Sequence, residues 1–213
     1  MTAYKPFGNE IECKIIYYGP GLSGKTVSLE HIFSRSRRRA RGRVVQLASQ
    51  TKRALYFDYL PLRLARISGR PTSLLLYSVP GQRPFEDTRR LLLKEADGIV
   101  FVADSHLNRL ESNFESLHEL YKNLGRLGID PQHMPMVFQY NKRDLPHATP
   151  LNRLTAVLNE WGLPEFPTVA TRGEGVFDAL KEIACQVVDR AAQLPPAIRG
   201  FSSTRRYLRH QVA

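Results

Sequence analysis

The chain has 213 residues, 42% hydrophobic and 24% charged, a make-up that fits one globular domain of ordinary size with room for a tail. No apolar run approaches the roughly eighteen residues of a membrane-spanning helix, and two cysteines without an export signal exclude a disulfide scaffold or a zinc module. The net charge of +11 is concentrated: eight basic residues lie between His31 and Phe57 and four follow Pro196, with no acidic residue in either segment.

The opening segment lacks the charged-then-apolar layout of a secretory signal, so a cytoplasmic location is expected. Ile11 to Tyr18 alternates and then turns apolar, as a strand entering a core does. Gly19-Pro20-Gly21-Leu22-Ser23-Gly24-Lys25-Thr26 follows and matches GxxxxGK[ST]. A helical pattern begins near Lys25 and runs through Val27, Leu29 and Phe33, so the motif sits between a strand and a helix. Its glycines let backbone N–H groups wrap a pyrophosphate, and the helix N-terminus adds a favourable field. In this pattern Lys25 reaches the β- and γ-phosphates, and the Thr26 hydroxyl holds Mg²⁺.

Further short apolar runs cover Val44–Leu47, Leu55–Leu60, Ser73–Val79, Gly98–Ala103, Met136–Tyr140 and Phe166–Val169. Helical patterns lie between the later ones, at about Glu86–Lys94, Arg109–Leu127, Leu151–Trp161 and Gly175–Gln193. Strands alternating with helices predict an α/β fold: a mostly parallel sheet with helices on both faces. The two runs before Glu86 that lack an intervening helix predict one antiparallel hairpin near an edge. Pro195-Pro196 stops the last helix, which divides the chain into a domain over 1–194 and a basic tail over 195–213. Cys13 and Cys185 are expected as small core residues, Trp161 as a packing residue, and Tyr17, Tyr18, Phe57 and Tyr59 as core or sheet-face residues. Six histidines without ligand spacing offer no metal site beyond Mg²⁺.

Two later motifs complete the chemistry. Ser78-Val79-Pro80-Gly81-Gln82 closes the Ser73–Val79 strand, where a Pro-Gly turn is one reading and, on the other, the Gly81 N–H can meet a γ-phosphate and Gln82 can orient the attacking water. Asn141-Lys142-Arg143-Asp144 follows the strand Met136–Tyr140. The Asp144 carboxylate can accept two hydrogen bonds from the N1–H and N2–H₂ edge of guanine, whereas adenine has no matching donor pair. Asn141 is expected to tie loops together, and the Lys142 stem can lie along the base.

The three elements in this order resemble a small Ras-like GTPase. The wording around them (Tyr17 to Thr26, Ser78 to Gln82, Val100 to Ser105, Gln139 to Pro146) is similar to the bacterial gliding-motility and polarity GTPases of the MglA family, over about Ile11 to Gln193. The resemblance implies a P-loop fold and a GTP/GDP switch with Mg²⁺ that controls cell polarity or motility, its hydrolysis assisted by a roadblock-fold homodimer. It makes Gln82 the water-orienting residue and matches Arg53 to an arginine that stabilises transferred charge. It places Val169-Ala170-Thr171 where a backbone group, that of Ala170, contacts the guanine oxygen.

The sequence departs from the Ras pattern twice. Ser78 replaces an aspartate, a change this family shares. Ala54 stands where the switch threonine is expected and cannot ligate Mg²⁺; Thr51 is the candidate substitute. Two readings therefore stand side by side, a slow regulatory GTPase and a GTP-bound scaffold or effector with little hydrolysis. The arginine run Arg35–Arg43 and the tail are read either as solvated surface or as a docking site for an acidic protein surface, anionic lipid or polyanion. Such docking would recruit the protein to a cell pole or membrane surface. Specific nucleic-acid binding explains the charge but none of the motifs.

Overall fold

The computed structural model describes residues 11–36, 45–47, 57–63, 71–80 and 86–193. Arg37 to Arg43, Thr51, Arg53, Ala54, Gly81, Gln82 and the basic tail lie outside the described residues. Within them, β1 (Ile11–Tyr18) and α1 (Lys25–Arg35) are followed by β2 (Val45–Leu47), β3 (Phe57–Arg63) and β4 (Thr72–Ser78). Then come α2 (Glu86–Leu93), β5 (Gly98–Asp104), α3 (Leu110–Arg126), β6 (Met136–Asn141), α4 (Leu151–Leu158), β7 (Glu165–Pro167) and α5 (Val176–Gln193).

The strands of the described residues form one sheet in the order β2-β3-β4-β1-β5-β6-β7. β1 runs parallel to β4 and β5, and β6 runs parallel to β5 and β7. β3 runs antiparallel to both neighbours: the expected hairpin is β3 with β4, and β2 adds a second antiparallel pair at the sheet edge. This is the mixed α/β sheet of a Ras-like fold, and its strand order turns around β1. All parallel strands therefore end on one edge, and the crevice beyond their carboxyl ends is where such sheets take ligands.

The residue pattern explains both faces. Every residue of β5 is buried, as a parallel strand covered above and below requires. Alternate residues part into two cores. Ile15, Tyr17, Val100, Val102 and Val137 pack with Leu29 and Ile32 of α1 and with Val176, Ala179 and Ile183 of α5. Ile16, Tyr18, Ile99, Phe101 and Phe138 pack with Leu117, Leu120 and Leu124 of α3 and Leu154 and Leu158 of α4.

Two expectations change in detail. The fourth helical pattern ends at Leu158, three residues before Trp161, because the Asn159 amide accepts from Leu163 N–H and donates to Leu163 O, both at 2.8 Å. Trp161 then packs its ring 4.7 Å from that of Tyr121. Cys13 is buried, but Cys185 is exposed, since the inward face of α5 is taken by Ala179, Leu180, Ile183 and Val187. Midway along β1, the buried Lys14 ammonium lies 3.9 Å from Glu95 and 5.0 Å over the Tyr77 ring. Its loss of hydration lowers its pKa to about 8 despite the nearby Glu95 and Asp97 carboxylates. No helix of the described residues is long and apolar enough to cross a membrane.

Candidate functional site

The loop between β1 and α1 lies on the carboxyl edge of the sheet. Gly19 (φ 137) and Gly24 (φ 101) hold backbone conformations that side chains resist, and each is also closely covered. A Cβ on Gly19 would strike the Val102 carbonyl, and one on Gly24 would strike the Asn141 amide. The loop is thus pressed against the ends of both β5 and β6. Leu22 takes a left-handed conformation without being glycine (φ 65), and its side chain is exposed. Ser23 is buried. Lys25 folds back over the loop, where its ammonium donates to Gly19 O at 3.0 Å and Pro20 O at 2.6 Å.

Thr26, in the first turn of α1, holds its Oγ1 3.4 Å from Ser78 Oγ at the end of β4. Two hydroxyls thereby stand beside one lysine, a donor set that fits a hydrated divalent cation next to a phosphate chain. Val79 N–H donates to Tyr17 O at 3.2 Å, extending the sheet by one bond. Pro80 O accepts from Arg89 Nη1 at 3.1 Å, and the same guanidinium donates twice to Glu119 of α3, through Nη2 at 2.6 Å and Nε at 3.0 Å. Ser78 to Pro80 therefore leaves the sheet on a fixed course.

The loop after β6 is tied to the first by one side chain. Asn141, at the end of β6, donates from Nδ2 to Ser23 O at 2.8 Å. Its Oδ1 accepts from Ala170 N–H at 2.9 Å and from Thr168 Oγ1 at 3.3 Å. Three loops meet on a residue that is 2% exposed. Lys142, also left-handed (φ 65), donates to Asp104 Oδ2 at 2.7 Å. Arg143 N–H donates to Thr168 O at 3.1 Å, which turns the chain so that Asp144 is exposed at the crevice end of the sheet. Gln139, buried behind them, donates to Ser28 Oγ of α1 at 2.8 Å and locks β6 to that helix.

The sequence-predicted residues Gly19 to Thr26, Ser78 to Pro80, Asn141, Lys142 and Ala170 are therefore brought together, with Asp144 alongside. The candidates Thr51, Arg53, Gly81 and Gln82 fall outside the described residues. Sequence reasoning missed Asp104, Arg109 and Arg89. Asp104 had a signal, since a carboxylate closes an otherwise apolar buried strand; the two arginines had none.

A phosphate-type loop after β1, a guanine-type loop after β6 and a sheet whose order turns at β1 define the Ras-like class of small GTPases. No protein-family model matches the chain. It is 48% identical over 175 residues to "Mutual gliding-motility protein MglA" of Myxococcus xanthus, covering 82% of this chain and 90% of that protein. The chain belongs to the MglA family of gliding-motility small GTPases.

Proposed function

We propose that the protein is a GTP/GDP switch that regulates cell polarity or motility and hydrolyses GTP slowly, with help from a roadblock-fold homodimer. The observation that carries this reading is Asn141, whose amide joins the loop Gly19–Thr26 to the loops at Lys142 and Ala170. A guanine nucleotide needs a phosphate cradle and a base-reading edge at a fixed separation, and that side chain sets it.

In this reading the backbone N–H groups of Gly19 to Lys25 and the Lys25 ammonium bind the phosphates. Ser78, Val79 and Pro80 flank the γ-phosphate position, and Gly81 offers it an N–H. Asp144 pairs with guanine N1 and N2, Lys142 covers the base, and the Ala170 backbone meets the guanine oxygen. Thr26 holds Mg²⁺, with Thr51 the second candidate, and the ion supplies charge neutralisation of the phosphates. Gln82 orients water, and Arg53 stabilises transferred charge. The basic segments (Arg35 to Arg43 and the tail) dock an acidic surface, anionic lipid or polyanion, which recruits a cytoplasmic protein to a pole or membrane.

Ala54 favours a second reading, a GTP-bound scaffold or effector with little hydrolysis. Binding of GTP, GDP and ATP by the full chain, followed by single-turnover GTP hydrolysis with and without a roadblock partner, tests both. GTP binding with ATP excluded and partner-stimulated turnover support the switch. Binding without turnover supports the scaffold. ATP bound as tightly as GTP overturns both.

A further inference from the structure

Arg109 lies outside every motif, in a 3-10 turn (Leu107–Arg109) that leads into α3. Its Nη2 donates to the Gly21 carbonyl at 2.7 Å, reaching across 88 residues of sequence to the middle of the phosphate-type loop. Its Nε lies 3.7 Å from Asp104 Oδ2, the oxygen that also accepts from Lys142 Nζ. Asp104 is 2% exposed and held on all sides. Its backbone N–H and C=O pair with the Asn113 amide at 2.9 and 2.8 Å, and its Oδ1 accepts from His106 N–H at 3.0 Å. One immobile carboxylate therefore faces two cations, one at the base-reading loop and one at the phosphate loop.

The geometry of a peptide unit says what the Arg109 contact does. A trans peptide is planar, so its C=O and N–H point in opposite directions. Arg109 holds the Gly21 carbonyl on its own side, so the N–H of the same unit, that of Leu22, faces the opposite side. Leu22 is held in the left-handed region (φ 65), and left-handed residues within a turn make the concave rows of N–H groups that bind anions. A charge-assisted bond to the carbonyl also polarises the N–H of its own unit, so that donor is both aimed and strengthened.

We propose that Arg109 is a positioning residue for nucleotide binding: through the Gly21 carbonyl it aims the Leu22 N–H at a phosphate of a guanosine di- or triphosphate, and the buried Asp104 carboxylate steadies its guanidinium. The proposal rests on the reading of the loop as a nucleotide site. Its effect belongs to phosphate-bearing ligands, which sets it apart from a merely structural ion pair.

Full-length Arg109→Ala and Arg109→Lys, loaded with a fluorescent GDP, test this by dissociation rate, alongside the melting temperature of the nucleotide-free proteins and competition by guanosine, which reads the base pocket alone. The alanine variant is expected to release GDP about ten-fold faster with guanosine competition unchanged, and the lost Gly21 and Asp104 contacts to lower nucleotide-free melting only modestly. The lysine variant falls between, since an ammonium can donate to Gly21 O but lacks the fork that also faces Asp104. Unchanged GDP release by Arg109→Ala overturns the proposal, and so does a loss that appears equally with guanosine. A parent protein that retains no GDP overturns the nucleotide-site reading, and this inference with it.

Discussion

Asn141→Asp changes one buried NH₂ to oxygen and nothing in shape. On the Oδ1 side the variant still accepts from Ala170 N–H and Thr168 Oγ1. On the other side a carboxylate oxygen now faces Ser23 O, at the 2.8 Å where a donor stood. Two acceptors without a proton between them lose a bond, and leave the buried Ser23 carbonyl unsatisfied, at about 1–3 kcal/mol. A charge brought to a site 2% exposed adds to that, so we expect about 3 kcal/mol of destabilisation in the nucleotide-free protein at neutral pH. Protonation of the new carboxyl restores a donor toward Ser23 O, so the folded state raises its pKa above the unfolded value. Stability is then gained below the folded pKa and lost as pH rises through it. Urea unfolding of parent and variant at pH 5.5 and 8 reads this directly, and GDP release at pH 8 should quicken by one to two orders of magnitude. A variant as stable as the parent at both pH values, with unaltered GDP release, would refute the role given to this side chain.

Asp144→Asn should weaken GTP by roughly 2–4 kcal/mol and favour xanthine nucleotides, whose edge replaces a donor by an acceptor; competition binding reads it, and equal GTP affinity sinks the base assignment. Ala54→Thr should strengthen GTP over GDP and raise partner-stimulated hydrolysis by about ten-fold, equivalent to ~1.4 kcal/mol of transition-state stabilisation. Thr51→Ala is its control, and brisk parental turnover that survives this control removes the account of Ala54. Lys14, lowered by burial to about 8 from 10.5, binds fewer protons folded than unfolded between those values, so it makes stability rise with pH there. Cys13, raised by burial from 9.0 to about 12, binds more protons folded and opposes the rise above pH 9. Denaturation midpoints should therefore climb between pH 8 and 9 and flatten beyond, and the climb should vanish in Lys14→Met.

The parts legible in sequence were those set by local pattern. β5 announces itself as a continuous apolar run because both of its faces are covered, and the Gly19–Thr26 loop because its backbone demands glycine at Gly19 and Gly24. Asn141 was legible as a loop tie, though not the partners it would hold. What escaped was set by distance in space. Arg109 and Arg89 reach carbonyls at Gly21 and Pro80 from other elements, and nothing in their neighbours along the chain marks them. Cys185 sits in an apolar helical pattern yet faces out, because α5 buries only one stripe and the cysteine lies off it. The end of α4 moved because the Asn159 amide competes with the helix for backbone partners.

Asn141 also bears on how a ligand with two ends is held. A guanine nucleotide presents a base and a phosphate chain on a short ribose tether, so its second contact forms within the complex, at an effective concentration fixed by how well the two half-sites match that tether. On the proposed guanine-nucleotide reading, a rigid amide between Ser23 and Ala170 would keep that match constant, and affinity for the whole ligand would exceed what either half commands alone. Anything that lengthens or loosens that side chain dilutes one half-site with respect to the other without touching either. A protein that pries the loop after β1 away from the one after β6 would release nucleotide by lowering that effective concentration, with every contacting residue still in place.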